Sequence, residues 1–275
     1  MNPEERTARG RTYLMCPPEH FAVEYAINPW MDTSAPVDAE LALKQWQLLR
    51  ETLVRLGHTV HTLPAQAGLP DMVYAANGAF SVDGVVYGAR FRYPQRFAEA
   101  AAHRAFYCAG NWRFVEPTEV NEGEGDFAYL PGAYGGLILA GYGFRTAPAA
   151  HSEVQEALGR PTISLFLVDP RFYHLDVALA ALDDGNIVYY PGAFSDASQR
   201  ILRQLFPSAV LADEADALAF GLNVVSDGRN VVLNSEASAL AAKLRAAGYV
   251  PVPVELSELK KGGGSVKCCI AELRP

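Results

Sequence analysis

Glycine-centred turns recur along this chain at nearly even intervals, and that rhythm constrains the fold more than any other feature. Gly84, Gly135, Gly185 and Gly228 lie 51, 50 and 43 residues apart. Each sits between short apolar, β-rich runs, at 81–87, 133–139, 181–188 and 224–231. Asp-Gly or Gly-Gly between such runs predicts a hairpin. A helical pattern follows each hairpin, over 95–106, 152–158, 197–205 and 237–247, with Ile201, Leu202 and Leu205 or Leu240, Leu244 and Ala247 on one face. A further strand then ends each unit, at 113–115, 162–168, 209–212 and 250–254. The N-terminal segment keeps the same order: a strand over 11–16, a helix over 37–56 carrying Leu41, Leu43, Trp46, Leu48, Leu49, Leu53 and Val54, and a strand over 58–63. Five units of strand, strand, helix, strand at a period of about 50 residues predict a radial array of blades that closes on itself. The expected organisation is one domain over residues 1–275, with residues 1–10 a flexible N-terminal tail.

A second regularity runs through the repeat. After the last strand of each unit comes a polar loop: 70–77, 121–126, 173–176, 220–223 and 264–268. Within these loops Asn77, Asp126, Asp176, Asn223 and Cys268 are separated by 49, 50, 47 and 45 residues. In a closed radial array, equivalent positions converge on the axis. The loops would therefore gather Asn, two Asp, a Glu, a His and a Cys into one central pocket. Cys268 follows Gly262-Gly263-Gly264, and such a run permits close backbone approach. Beside Lys267 its thiol is a candidate nucleophile. His174 is the one histidine in these loops and the candidate base. Several carboxylates around one pocket repel each other unless the ligand is cationic. A guanidinium, planar and permanently charged, matches paired carboxylates. The Gly-rich 122–126 loop does not read as a phosphate cradle, because acids replace the Gly-Lys-Ser/Thr that such a loop requires.

Composition excludes several classes. The net charge of -8 argues against a general nucleic-acid binder and suits a small cationic substrate. The longest apolar runs are strand-sized, well short of a membrane span, and residues 1–6 carry no apolar signal region, so a cytoplasmic location is expected. The four cysteines show no metal spacing, and Cys16 and Cys108 read as buried small apolar residues. A homo-oligomer is left open.

These residues resemble those of the guanidino-group-modifying enzymes, which include dimethylarginine dimethylaminohydrolases, arginine deiminases, arginine dihydrolases and amidinotransferases. The resemblance covers nearly the whole chain, through 27–31, Pro70-Asp71 with Asn77, 92–96, 122–126, His174-Leu175-Asp176 and 262–268. It implies a five-bladed α/β propeller needing no metal or organic cofactor. It also implies roles. Cys268 is the nucleophile, with Cys269 an inert neighbour, and His174 is the general acid and base. Asp126 and Asp176 are guanidinium ligands. Glu124 sits at or near the acid that supports the histidine, in a loop whose spacing varies among relatives. Arg96 and Arg145 clamp the substrate carboxylate, and Asn28 is another substrate contact.

Asn77 departs from the pattern of dimethylarginine hydrolases and arginine deiminases, which commonly carry an acid there. It resembles the arginine dihydrolase branch, which proceeds past citrulline to ornithine. Asn can donate as well as accept, so it tolerates a neutral ureido group. The expected activity is therefore cysteine-dependent hydrolysis of arginine or an N-methylated arginine through a covalent thiouronium intermediate, giving citrulline or, by a second hydrolysis, ornithine. The alternatives are an amidinotransferase and a non-catalytic propeller that binds through its surface.

Overall fold

A computed structural model describes residues 6–275. Five three-stranded sheets account for all fifteen named strands among these residues. The first hairpin pairs β3 (Ala79–Val82) with β4 (Val85–Gly88), and β5 (Arg113–Val115) joins β4 in parallel. The next sheets repeat that plan: β6 (Phe127–Leu130), β7 (Leu137–Tyr142) and β8 (Thr162–Phe166); β9 (Leu179–Ala181), β10 (Ile187–Tyr189) and β11 (Val210–Leu211); β12 (Val225–Ser226), β13 (Asn230–Asn234) and β14 (Val250–Val254). The fifth sheet is built from both ends of the chain. Its β1 (Thr12–Met15) pairs in parallel with β2 (Thr59–Thr62) and antiparallel with β15 (Ala271–Leu273). The sequence pattern shows β1 and β2 but gives no sign that the last residues supply the missing hairpin strand.

The turns follow their residues. Asp83 and Gly84 both adopt positive φ (49° and 76°), the geometry that the two-residue hairpin between Val82 and Val85 needs; Tyr134 and Gly135 (49° and 77°) adopt the same angles within the longer connection from Leu130 to Leu137. In the last two hairpins an Asp side chain closes the turn instead. Asp183 Oδ1 accepts from the Gly185 and Asn186 amides, and Asp227 Oδ1 from the Arg229 and Asn230 amides.

A helix bridges the second and third strands of each sheet, the crossover that parallel strands require. These are α1 (Ala39–Arg55), α2 (Glu99–Ala109), α3 (Ala149–Leu158), α4 (Asp196–Leu205) and α6 (Ser238–Ala246). Asp38 caps α1 by accepting from the Leu41 amide, and Ser195 caps α4. Two short helices lie outside this scheme and outside the sequence expectation, α5 (Glu214–Leu218) and α7 (Ser257–Lys260). Helix α1 buries Ala42, Gln45, Trp46, Leu49, Thr52 and Leu53. Leu41, Leu43, Leu48 and Val54, counted with its apolar set from the sequence, face outward. Cys16 is buried as expected, whereas Cys108 on α2 is exposed.

The blades meet in a ring. β15 touches β3, the turn Gly123–Gly125 touches β3, β6 touches β9, β9 touches β12, and α1 closes the circle against β14 and α7. Of the expected tail, residues 1–5 lie outside the described residues. Residues 6–10 are held against the body: Arg6 pairs with Asp183 and lies over the Tyr249 ring, and the Arg9 amide donates to Asp227 O. No helix among the described residues is long and apolar enough to cross a membrane.

Candidate active site

Each polar loop ends where the inner strand of its blade begins. Asn77 lies in a 3-10 turn (Ala75–Gly78) before β3, and Glu122 and Asp126 flank another (Gly123–Gly125) before β6. His174 leads into a third (Leu175–Val177) before β9, Asn223 precedes β12, and Cys268 precedes β15. The five loops that share a register in sequence thus share a position in the fold. Asn77, Glu122, Asp126, His174, Asp176, Asn223 and Cys268 are all buried.

The glycine run is dictated by space. A Cβ on Gly262 would lie 2.1 Å from the Tyr74 hydroxyl, one on Gly263 2.5 Å from Asn28 Oδ1, and one on Gly264 2.9 Å from Cys268 Cβ. Gly263 also has φ of 88°. Only glycine allows this backbone to pass beneath Tyr74 and Asn28 and present Cys268.

The thiol sits between two side chains. Cys268 Sγ donates to Asp176 Oδ2 at 3.2 Å, and Asn223 Nδ2 donates to Sγ at 3.1 Å. Burial, the nearby Asp176 carboxylate and Cys269 push the Cys268 thiol well above its ordinary pKa. Burial likewise pushes the Asp176 carboxyl up, to about 7. Without a ligand the pair therefore favours a protonated thiol. A cation placed beside Asp176 would reverse that preference by favouring both anions.

His174 Nε2 lies 2.7 Å from Glu122 Oε2. The same oxygen accepts from Arg145 Nη1 at 2.7 Å, and Oε1 accepts from the Arg92 amide. Burial alone would raise the Glu122 carboxyl, but Arg145 and the bond to His174 hold it far below the carboxylate range. An ionised Glu122 can only accept, so Nε2 carries a proton and donates it to Oε2. Nδ1 is buried and unpartnered, which leaves it free to take and return a proton. The acid that supports the histidine is thus Glu122. Glu124, assigned that place from sequence, turns the opposite way and is neutralised by Lys267 and Arg274, with the Glu272 amide donating as well. In the turn Gly123–Gly125, where Gly123 has φ of 53°, the two acids face different neighbours.

Asp126 also departs from its expected task. Its Oδ1 accepts from the Leu175 amide at 3.0 Å and its Oδ2 from the Thr146 amide at 3.2 Å. Both oxygens are occupied in bracing the residues next to His174 and Arg145. Of the two aspartates expected to hold the guanidinium, Asp176 is the one with a buried, unpartnered oxygen, Oδ1. It also borders an axial cavity of about 370 Å³ between the inner strands, which neither Cys268 nor His174 lines.

The two arginines differ. Arg96 is fully buried and directs Nε and Nη2 at Glu99, Nη1 at Asn77 Oδ1 (2.7 Å) and Nη2 also at Asp71 O. Arg145 lies between the Tyr93 and Tyr173 rings, at 4.8 and 4.7 Å, bonded to Glu122 and to Ile27 O. Asn28 does not stand free: it donates to Gly262 O and accepts from the Trp30 amide. The segment between β1 and α1 therefore lies across the site, pinned at Tyr25 to Asp71 Oδ2, at Ile27 to Arg145 and at Asn28 to Gly262. Asp71 belongs to the site although sequence reasoning gave it no role. Its Oδ1 is buried without a partner, beside Arg96. Its signal was its place at the head of the 70–77 loop.

Asn77 is oriented by its neighbour. Because Oδ1 accepts from Arg96, Nδ2 must point away from it. A Cβ on Gly125 would come within 2.4 Å of Asn77 Nδ2 and 3.1 Å of His174 Nδ1, so both atoms flank Gly125. Asn77 Nδ2, like His174 Nδ1, Asp176 Oδ1 and Asp71 Oδ1, has no partner. Four unpartnered buried polar atoms at one end of the ring call for a polar ligand. Among the described residues no three His, Cys, Asp or Glu side chains come together as a metal site.

No family model matches the chain. Known proteins do. It is 54% identical over 274 residues to the N(G),N(G)-dimethylarginine dimethylaminohydrolase of Mycobacterium tuberculosis, covering 100% of this chain and 89% of that protein. It is 34% identical over 260 residues to the bifunctional arginine dihydrolase/ornithine cyclodeaminase ArgZ of Synechocystis, covering 93% of this chain and 36% of that longer protein. The crystal structure of the ArgZ N-terminal domain covalently bound to a reaction intermediate matches with a TM-score of 0.91 at 32% identity, over 96% of this chain and 98% of that one. A dimethylarginine dimethylaminohydrolase adduct, at 17% identity and a TM-score of 0.77, shares the fold. The chain belongs to the guanidino-group-modifying hydrolases, the family of the dimethylarginine dimethylaminohydrolases and the arginine dihydrolases.

Proposed function

We propose that this protein hydrolyses the guanidinium group of arginine with Cys268 as nucleophile, and that it carries the substrate through two hydrolyses to ornithine, ammonia and carbon dioxide. The observation that carries the second part is the orientation of Asn77. Arg96 holds its oxygen, so a donor, Nδ2, faces the site. A guanidinium has no acceptor for that donor. A ureido oxygen does.

In the first half, Asp176 Oδ1 receives the guanidinium, and the cation stabilises the Cys268 thiolate. The thiol proton passes to His174 Nδ1. The sulfur attacks the central carbon, His174 returns the proton to the departing nitrogen, and ammonia leaves an S-linked thiouronium. His174 next takes a proton from water. Hydroxide adds to the same carbon, the C–S bond breaks, and citrulline forms. The imidazolium this cycle needs is stabilised by Glu122. In the second half the ureido oxygen accepts from Asn77 Nδ2, the thiolate attacks again, and a second ammonia departs. Water then releases a carbamate that loses carbon dioxide. At the other end of the substrate, Asp71 Oδ1 suits an α-ammonium, and Arg145, with its Nε uncommitted, suits the α-carboxylate. Arg96 reaches that end only through Asn77 and Asp71. Asn28 shapes the wall over the glycine run.

The 54% identity to a dimethylarginine dimethylaminohydrolase favours a second reading, in which an N-methylated arginine is the substrate and citrulline the final product. One experiment separates them. The protein is incubated with arginine, citrulline and asymmetric dimethylarginine in turn, and ornithine, citrulline, ammonia and dimethylamine are quantified. Ornithine from both arginine and citrulline is expected. Citrulline and dimethylamine from the methylated substrate, with no ornithine from any, would transfer the assignment to the second reading. Cys268→Ser is expected to bind arginine without turnover, and full activity in that variant would overturn both.

A further inference from the structure

Asn223, like Asp126, sits at a polar slot that neither a catalytic step nor a substrate contact explains, yet it is fully buried and, unlike Asp126, it touches the nucleophile, using every hydrogen-bonding valence of its side chain. Its Oδ1 accepts from the Ser265 amide and from the Cys268 amide, each at 3.1 Å. Its Nδ2 donates to Asp176 O and to Cys268 Sγ, each at 3.1 Å. Two backbone donors on Oδ1 and a carbonyl acceptor for Nδ2 leave no freedom to exchange the two atoms. The amide N–H on Sγ is therefore imposed by the fold.

We propose that Asn223 is a further catalytic residue: its Nδ2 donates to the Cys268 thiolate while its Oδ1 clamps the loop that carries the nucleophile. This rests on the hydrolase reading above. When the thiol proton leaves, the bond from Sγ to Asp176 Oδ2 is lost, and two anions face each other across 3.2 Å. Asn223 supplies the side-chain donor that remains on sulfur. A hydrogen bond to an ionised acceptor is stronger than one to a neutral acceptor, so this contact favours the thiolate over the thiol. The same residue ties the carbonyl of Asp176 to the sulfur, which fixes the anion that receives the substrate relative to the atom that attacks it.

Two substitutions remove the donor, and one of them keeps the clamp. Asn223→Asp keeps an oxygen for the Ser265 and Cys268 amides and turns an acceptor toward the sulfur. Asn223→Ser withdraws the donor without adding charge. Asn234→Ala is the comparison, because Asn234 touches the same loop through Ser265 Oγ and does not touch the sulfur. The assay is alkylation by iodoacetamide from about pH 7 to about pH 10, located by fragmentation to Cys268 rather than Cys269, in each full-length protein. In both Asn223 variants the alkylation rate constant at equal pH is expected to fall about tenfold or more. With arginine, kcat is expected to fall about tenfold or more while KM changes by less than about threefold. Asn234→Ala is expected to keep the parental alkylation profile. Parental alkylation in folded Asn223→Asp and Asn223→Ser would overturn the proposal, as would an equal loss in Asn234→Ala. Failure of both Asn223 variants to fold would assign the four bonds to folding and overturn it as well. Alkylation requires no substrate, so it judges Asn223 even if the protein turned over no guanidine and the hydrolase reading fell.

Discussion

Replacing Glu122 with Gln tests the centre of this site, because it removes one charge and almost no volume. Glu122 Oε2 accepts from Arg145 Nη1 and His174 Nε2, both at 2.7 Å and both buried. A glutamine amide can keep one of its two faces as an acceptor. Its NH2 must then meet another donor, either the Arg92 amide or the Arg145 and His174 pair. Arg145 would remain a buried cation with no anion. Removing one partner of a buried ion pair costs about 3–5 kcal/mol. At about 2–4 °C per kcal/mol for a chain near this length, Tm should fall by about 6–20 °C. The chemical step should suffer separately. A hydrogen bond to a charged group contributes about 1.5–3 kcal/mol. Losing it from the imidazolium form of His174 should lower kcat by about 10- to 150-fold.

The pH dependence of that deficit has a definite sign. The folded Glu122 carboxyl is depressed below its ordinary value of 4.5. Its contribution to stability is thus fully present above that value and is lost only as pH falls through the folded one. Between about pH 7 and about pH 9 the Tm deficit of Glu122→Gln should not vary with pH. Thermal denaturation and steady-state kinetics across that range are the assay, with Glu124→Gln beside it. Glu124 is held by Lys267 and Arg274 rather than by His174. Its variant should lose stability but keep kcat within about threefold of the parent. The reverse outcome, a crippled Glu124→Gln and a fully active Glu122→Gln, would refute the assignment of the supporting acid.

Two further predictions follow from the same geometry. Asn77→Asp replaces the donor facing the site with a carboxylate, so arginine should still be consumed while citrulline accumulates and ornithine formation falls by about tenfold or more, read by amino-acid analysis; undiminished ornithine would refute the role given to Nδ2. The Asp176 carboxyl, raised by burial to about 7, must be ionised to receive a cation. The kcat/KM for arginine should therefore fall with decreasing pH below about 7, by up to tenfold per unit, whereas the limb for neutral citrulline should be shallower; identical acid limbs for the two substrates would count against Asp176 as the guanidinium ligand.

The repeat is legible in the sequence because hairpin turns are local. Asp83-Gly84, Gly135, Gly185 and Gly228 each encode a turn that the chain forms on its own, and the spacing between them survives folding. The polar slot is legible for the same reason: each functional loop stands at a fixed distance from its own hairpin. What lies outside the repeat unit is not legible. The strand β15 is three residues at the chain's end, and only closure of the ring reveals that β1 is its partner. The segment that crosses the site before α1 has no periodicity, and its contacts with Asp71, Arg145 and Gly262 span 46, 118 and 234 residues.

The division between Glu122 and Glu124 shows where sequence reasoning about a converging site reaches its limit. Spacing identifies which loop reaches the axis, and composition identifies the chemistry that the loop can offer. Neither determines the face of a 3-10 turn on which a given acid emerges. That is decided by the partners waiting on each side. On one side Arg145 and His174 form a cationic or protonatable pair, and Glu122 neutralises it. On the other, Lys267 and Arg274 stand beside the nucleophile's own strand, and Glu124 neutralises those. Exchanging the two acids would be impossible without re-siting four cationic or protonatable side chains, Arg145, His174, Lys267 and Arg274. The register is thus a property of charge balance around the whole ring rather than of the five residues from Glu122 to Asp126. The same reasoning explains why Asp126, further along the same loop, makes no ion pair and spends both oxygens on backbone amides. With the nearby cations already matched, Asp176 keeps one oxygen unpaired in the interior, which is why the guanidinium is proposed to bind there.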